Sequence, residues 1–223
     1  MQAGNAHYRV AEDIPSVVPI FPLSAALLLP GGRMPLNIFE PRYLKMIDTA
    51  CAGDRLIGMI QPGLDGSTQP NGELTLCAVG CLGRIVSFAE TGDGRYLIGL
   101  QGICRFRVTE EIETRTPFRQ CRIAPFVSDL NEESGGGEID RPALLKTLKA
   151  YLEVNELDAD WEGVSRAENA TLVNALSMMS PYGAAEKQAL LEAPDLRTRA
   201  DTLIAITEMA LARSRDSFGS GLQ

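Results

Sequence analysis

The chain has 223 residues, 45% of them hydrophobic and 22% charged, with a formal net charge of −8. This is the composition of an ordinary globular protein, long enough for one large domain or two small ones with proper cores. The acidic balance repels polyanions and argues against a sequence-independent grip on nucleic-acid backbones.

Residues 1–14 are polar and are expected to form a flexible N-terminal arm. They lack a basic segment followed by an apolar one, so no secretory signal is visible. The segment from Val18 to Asp48, VPIFPLSAALLLPGGRMPLNIFEPRYLKMID, is mostly apolar but is cut by Pro19, Pro22, Pro30, Pro35 and Pro41. A membrane helix needs roughly 20 nearly uninterrupted apolar residues, so these pieces read instead as short strands. Helical spacing then begins at Tyr43, Leu44, Ile47 and Cys51. No membrane association is expected.

Residues 15–127 read as a β domain. Arg55–Gln61 is a short apolar strand, and Gln61–Asn71 is loop chemistry rich in Gly and Pro. Leu74–Phe88 reads as one or two strands, with Gly80 and Gly83 suggesting bulges or a bend. Thr91-Gly-Asp-Gly94 predicts a hairpin turn, because glycine supplies the positive φ of tight turns. Tyr96–Leu100 pairs back, Gly102 makes a break, and Ile103–Ile112 alternates with Phe106 and Val108 on one face. Arg105 and Arg107 fall on the opposite, outward face of that strand. Phe118–Val127 closes the series. Short turns between so many strands predict antiparallel pairing in a rolled sheet or small barrel.

Residues 128–140, SDLNEESGGGEID, form an acidic, glycine-rich linker. A helical bundle is expected over 141–215, with a flexible tail over 216–223. Asp140-Arg-Pro142 opens its first helix, with proline where a missing N–H costs little, and Leu144, Leu148 and Tyr151 share a face. Leu172, Leu176 and Met179 make a second stripe that Pro181 ends. Ala185–Leu191 is a third helix, and Asp195 caps a fourth with Leu196, Leu203, Ile206 and Ala210 inward. The fold class is α+β.

Tests for chemistry are mostly negative. No G-x-x-x-x-G-K-[ST] phosphate loop occurs. The only histidine, His7, lies in the arm, and a nucleophilic Ser or Cys generally needs a base within hydrogen-bond reach. Cys77 and Cys81 share a strand face but lack the second pair that zinc wants. Glu132, Glu133, Glu138 and Asp140 lack the alternating oxygen ligands of a calcium loop. No catalytic residue, metal or cofactor is expected. The five cysteines are odd in number and scattered, mostly in apolar stretches, which suits a reduced, cytoplasmic setting.

In order, Pro19-Ile-Phe-Pro-Leu23, the run to Pro30-Gly31, and Met34-Pro-Leu-Asn-Ile-Phe-Glu-Pro-Arg-Tyr43 make up a distinctive opening. With Val79–Ser87, Tyr96–Val108 and Glu186–Glu192, it resembles the Lon N-terminal, substrate-binding domain family over roughly residues 17–212. The resemblance implies a PUA-like β domain, a pseudo-barrel, joined to a helical bundle. It also implies a part in recruiting unfolded or tagged polypeptides to an ATPase and peptidase. The sequence holds neither a Walker motif nor a protease domain, so a stand-alone, non-catalytic polypeptide-binding or adaptor protein is expected. Phe39, Arg42 and Tyr43 are the candidate contact residues: two aromatics for area and an arginine to orient a carboxylate or carbonyl. The alternatives are a hydrolase with an unrecognised nucleophile and, as a third reading, an RNA-binding PUA-like module.

Overall fold

The computed structural model describes residues 1–131 and 138–220. Six strands make the main sheet: β3 (Val17–Pro22), β4 (Arg33–Ile38), β5 (Leu56–Ile60), β6 (Val79–Glu90), β7 (Tyr96–Ile112) and β8 (Arg119–Pro125). Their order is β4-β7-β6-β5-β3-β8, and β8 pairs again with β7. The last pairing closes β7, β6, β5, β3 and β8 into a ring. Strand β7 can serve both purposes because it is long. Its first half, Tyr96–Gln101, carries β4, and its second half, Phe106–Ile112, carries β8. The expected rolled sheet is therefore present, with one departure from all-antiparallel pairing: β3 and β5 run parallel. They are parallel because α1 (Pro41–Ala52) and β4 lie between them in sequence, and a parallel pair needs such a crossover.

Glycines let the ring close tightly. Phe106 is fully buried inside it. A Cβ on Gly80 would sit 2.5 Å from the Phe106 Cζ and 2.6 Å from the Met59 carbonyl oxygen. Gly80 is thus a site of close approach rather than a bulge, while the register does shift between Leu82 and Gly83. Gly102 does not interrupt β7. Its hydrogen instead faces the Leu29 carbonyl oxygen, which an added Cβ would meet at 2.1 Å. The hairpin between β6 and β7 turns where expected, with Gly92 and Gly94 at φ +79° and +85°.

The first fourteen residues are not a loose arm. Two short strands, β1 (Gln2–Ala3) and β2 (Ala6–His7), form a hairpin, and Ala3, Tyr8 and Ile14 are buried against the barrel core. Polar composition hid the three anchors among polar neighbours.

Five helices follow the barrel: α2 (Arg141–Val154), α3 (Trp161–Arg166), α4 (Asn169–Met179), α5 (Ala184–Glu192) and α6 (Leu196–Ser220). Asp140 caps α2 by accepting from the Ala143 N–H at 2.9 Å, and Asp195 accepts from the Thr198 N–H at 2.7 Å. Helix α3 was not expected; Asp160 caps it through the Gly163 N–H. Met179, expected inward, is exposed at the end of α4. Helix α6 runs through Ser220, so part of the expected tail is helical. Of the expected linker over 128–140, residues 128–130 belong to the 3-10 turn Val127–Leu130, with Leu130 buried, and residues 132–137, including Glu132 and Glu133, lie outside the described residues.

That turn matters because Asp129 sits in it. Arg105, expected on an outward face, is only 6% exposed. Its Nε and Nη2 donate to the two carboxylate oxygens of Asp129, both at 2.8 Å. Its other N–H groups reach the carbonyls of Leu191 (3.3 Å), Ala193 (2.5 Å) and Pro194 (3.2 Å). All five guanidinium donors therefore have acceptors. The last carbonyls of a helix lack partners within it and carry the negative end of its dipole. Arg105 satisfies those at the end of α5 and fastens that helix to the barrel. Gln188 of α5 adds a second tie, donating to the Val79 carbonyl at 3.1 Å, and accepts from Gln61 at 3.1 Å. Apolar packing runs along the same seam: one cluster joins Phe21, Leu28, Ile47 and Ile85 of the β part to Leu144, Leu172, Leu190 and Leu203 of the helices.

Two outcomes test this packing. Gly80→Ala should lower the unfolding free energy by about 1–3 kcal/mol, read by urea denaturation; an unchanged midpoint would contradict the close approach of Phe106. Asp129→Leu should cost about 3–5 kcal/mol by leaving Arg105 charged and unpaired. The double variant Arg105→Met/Asp129→Leu should recover part of that loss, and additive losses would show that the pair is not coupled.

Candidate functional site

Beyond the ring, the ends of β6 and β7 continue outward with β4 as a three-stranded sheet. Residues directly opposite one another in an antiparallel sheet share a face. The register Leu36–Ile98–Phe88 and Ile38–Tyr96 defines the face toward α1. There Tyr96 donates its hydroxyl to Asp48 of α1 at 3.0 Å, and Phe88 meets the Tyr96 ring edge-on at 4.8 Å. The register Asn37–Leu97–Ala89 and Pro35–Gly99–Ser87 defines the other face, where Pro35, Asn37, Ser87, Ala89 and Leu97 are exposed and no helix among the described residues covers them. Leu97 is 48% exposed there, and Phe39, continuing past the end of β4, is 61% exposed. The Arg95 guanidinium lies 5.9 Å from the Phe39 ring centroid, on the same side as Leu97. The N-terminal hairpin borders this face, where Gln101 donates to the Gln2 carbonyl at 3.0 Å.

The sheet is also open along one side, since among the described residues β4 pairs only with β7. Gly102 N–H donates to the Gly32 carbonyl at 2.9 Å. Carried along the register, this alternation points the backbone groups of Met34, Leu36 and Ile38 at β7 and those of Arg33, Pro35 and Asn37 away from it. Pro35 thus stands where its missing N–H removes no bond from the sheet.

The three residues singled out in the sequence separate. Phe39 is on the surface as a contact residue must be. Arg42 is exposed but already engaged: its Nε donates to Glu40 at 3.0 Å, and its guanidinium lies 4.5 Å from the Tyr43 ring centroid. Tyr43 is only 7% exposed, with its ring 4.4 Å from that of Phe21, so it belongs to the core beneath the surface. Helical geometry explains the difference. Tyr43 lies in the first turn of α1 with Met46, Ile47 and Ala50 on its buried stripe, whereas Phe39 precedes the helix. Leu97 and Arg95 were missed because Leu97 sits between apolar neighbours, Tyr96 and Ile98, where alternation carries no signal.

Nothing at this face resembles acid–base machinery. His7 is exposed in the N-terminal hairpin. Burial pushes the Cys104 and Cys121 thiols up to about 12 and holds Cys81 well above its ordinary value, the reverse of an activated nucleophile. Burial lowers Lys187, whose ammonium donates to the Met178 carbonyl at 3.1 Å. Among the described residues no group of three or more His, Cys, Asp or Glu could hold a metal ion, and no helix is long and apolar enough to cross a membrane.

The chain is a closed barrel fused to a helical bundle with an exposed sheet face, and comparison with known proteins gives its family. Residues 17–208 match the model of the ATP-dependent protease La (LON) substrate-binding domain, and the chain belongs to that family. Lon protease 2 of Myxococcus xanthus is 30% identical over 195 residues, covering 84% of this chain and 23% of the relative. Lon protease of Anaeromyxobacter dehalogenans is 28% identical, again over 84% of this chain and 22% of the relative. The chain thus spans about a quarter of these relatives. Two solved structures share the fold: a Lon N-terminal domain protein from Xanthomonas campestris (TM-score 0.60, 22% identity) and the N-terminal domain of Mycobacterium avium complex Lon protease (TM-score 0.58, 18% identity). Each comparison covers 86% of this chain and 98% of the other.

The placement of the two aromatics is open to measurement. Phe39→Ala should change stability by no more than about 0.5 kcal/mol, whereas Tyr43→Ala should cost about 3–5 kcal/mol, as for other buried aromatics. Equal effects in a thermal or chemical melt would refute the assignment of one to the surface and the other to the core.

Proposed function

We propose that this chain binds unfolded polypeptide segments without catalysis, as a recruiting or adaptor module in proteolysis and protein quality control. The observation that carries the reading is the uncovered face of β4, β6 and β7 with its open edge, in a member of a substrate-binding domain family. An extended segment can add to the free edge of β4 through main-chain hydrogen bonds, which depend little on sequence. Phe39 and Leu97 then supply apolar contact for alternate side chains. This surface suits a peptide better than RNA, because the net charge of −8 opposes a phosphate backbone.

Binding of a fluorescently labelled, permanently unfolded protein, followed by anisotropy, tests the proposal. The chain should bind it and not a folded control. Phe39→Ser/Leu97→Ser should weaken binding about tenfold or more, equivalent to about 1.4 kcal/mol, with the melting temperature unchanged. Peptides N-methylated at alternate amides should compete poorly, since they cannot extend the sheet. Equal binding by the double variant would move the site elsewhere.

A further inference from the structure

A cleft of about 450 Å³ lies where the barrel meets the helices, lined among others by Pro30, Asp129, Asn174, Pro194, Leu196 and Arg199. Its volume falls in the roughly 300–1,000 Å³ range of small-ligand sites. Two arginines face it, and they differ in one respect. Arg105 has a carboxylate partner in Asp129 and an acceptor for every N–H. Arg199, of α6, is only 7% exposed and has no carboxylate within ion-pair distance among the described residues. Its Nε donates to the Leu190 carbonyl at 3.0 Å, Nη1 to the Asn174 side chain at 3.3 Å and Nη2 to the Ala193 carbonyl at 3.4 Å. Three of its five donors are thereby used, and the other two have no acceptor in the described chain.

A buried guanidinium without a counter-charge is costly. Burial, then the neighbouring Arg105 charge, lowers Arg199 to about 10, which shows how poorly the surroundings compensate it. Among the described residues, the two carboxylates that line the cleft do not remedy this. Asp129 accepts both the Arg105 side chain and its backbone N–H at 2.9 Å, and Asp195 is taken up capping α6. Asn174 is itself held by donating to the Pro30 carbonyl at 3.3 Å, so the partner that orients Arg199 is fixed.

From this geometry we infer that the cleft binds the C-terminal carboxylate of a polypeptide, with Arg199 as the cationic anchor and Pro30, Pro194 and Leu196 around the last side chain. A carboxylate can accept two N–H bonds from one guanidinium, and one donor is left over on each of Nη1 and Nη2. The inference rests on the polypeptide-binding reading but concerns a different site. It adds a preference for chain ends to the sequence-tolerant binding proposed at the β4 edge.

The test uses a fluorescently labelled octapeptide ending in Val-Leu as free acid, the same peptide as C-terminal amide, and an amide with one internal glutamate. The free acid should bind at least tenfold more tightly than either amide. Ala170→Trp, which narrows the cleft while keeping the Arg199 side chain, should remove that preference, as should Arg199→Gln, provided both variants melt cooperatively. Equal binding of acid and amide, or an acid preference that survives Ala170→Trp, would overturn the inference. Binding of the glutamate amide as tightly as the acid would overturn the assignment to a chain end. Phe39→Ser/Leu97→Ser should keep the acid preference, so failure at the sheet face and failure at the cleft are read separately.

Discussion

The arrangement of barrel and helices depends on how the end of α5 is satisfied. A nine-residue helix is too short to be stable by itself, and its terminal carbonyls need partners once buried. Arg105 provides them from the barrel wall, and Asp129 holds Arg105 at the required angle with a bidentate ion pair. One side chain thus joins three segments distant in sequence: β7, the turn after β8, and α5. Arg199 of α6 adds a second guanidinium at this helix end, donating to the Leu190 carbonyl and to the Ala193 carbonyl that Arg105 also uses. A positive charge at a helix C-terminus is favourable, but two guanidiniums there repel each other, and the carboxylate of Asp129 is ion-paired with Arg105. The same constraint that fixes the seam therefore leaves a cation short of a partner beside it.

The barrel can present Arg105 because its interior is filled from the other face of the same strand. Successive side chains of β7 alternate between inside and outside. Cys104 and Phe106 help fill the interior, where Gly58 and Gly80 make room for the Phe106 ring. Shifting this strand by one residue would place a guanidinium in the barrel and a phenyl ring at the seam. The register is consequently fixed from both sides, by volume within and by hydrogen bonding without.

Much of the architecture was legible in the sequence. Proline spacing excluded a membrane helix and announced short strands; Asp140-Arg-Pro142 and Asp195 marked helix starts; Thr91–Gly94 marked the hairpin. These are local signals, set by φ, missing donors and capping groups within a few residues. What escaped was set by distant partners. Arg105 reads as an outward strand residue because its acceptors lie 24 and more than 80 positions away. The packing of Ala3, Tyr8 and Ile14, the parallel pairing of β3 with β5, and the burial of Tyr43 escaped for the same reason. At the candidate surface, Phe39 stood out by its place in an unusual motif, but Leu97 between two apolar residues did not.

The seam also bears on how such a module can bind. Barrel exterior, α1 and the bundle share one continuous apolar cluster, so rotating the helices away from the barrel would expose it to water. Recognition then has to use surfaces already formed, and the edge of β4 is one. An edge this exposed invites uncontrolled strand pairing, which proteins commonly limit with proline. Pro35 removes one of the outward donors, so an added strand finds acceptors throughout but an incomplete set of N–H groups. On the proposed reading, this keeps each contact weak and brief. A module that must accept many unfolded sequences and release them gains from that incompleteness, whereas a complete edge would hold its first occupant or aggregate.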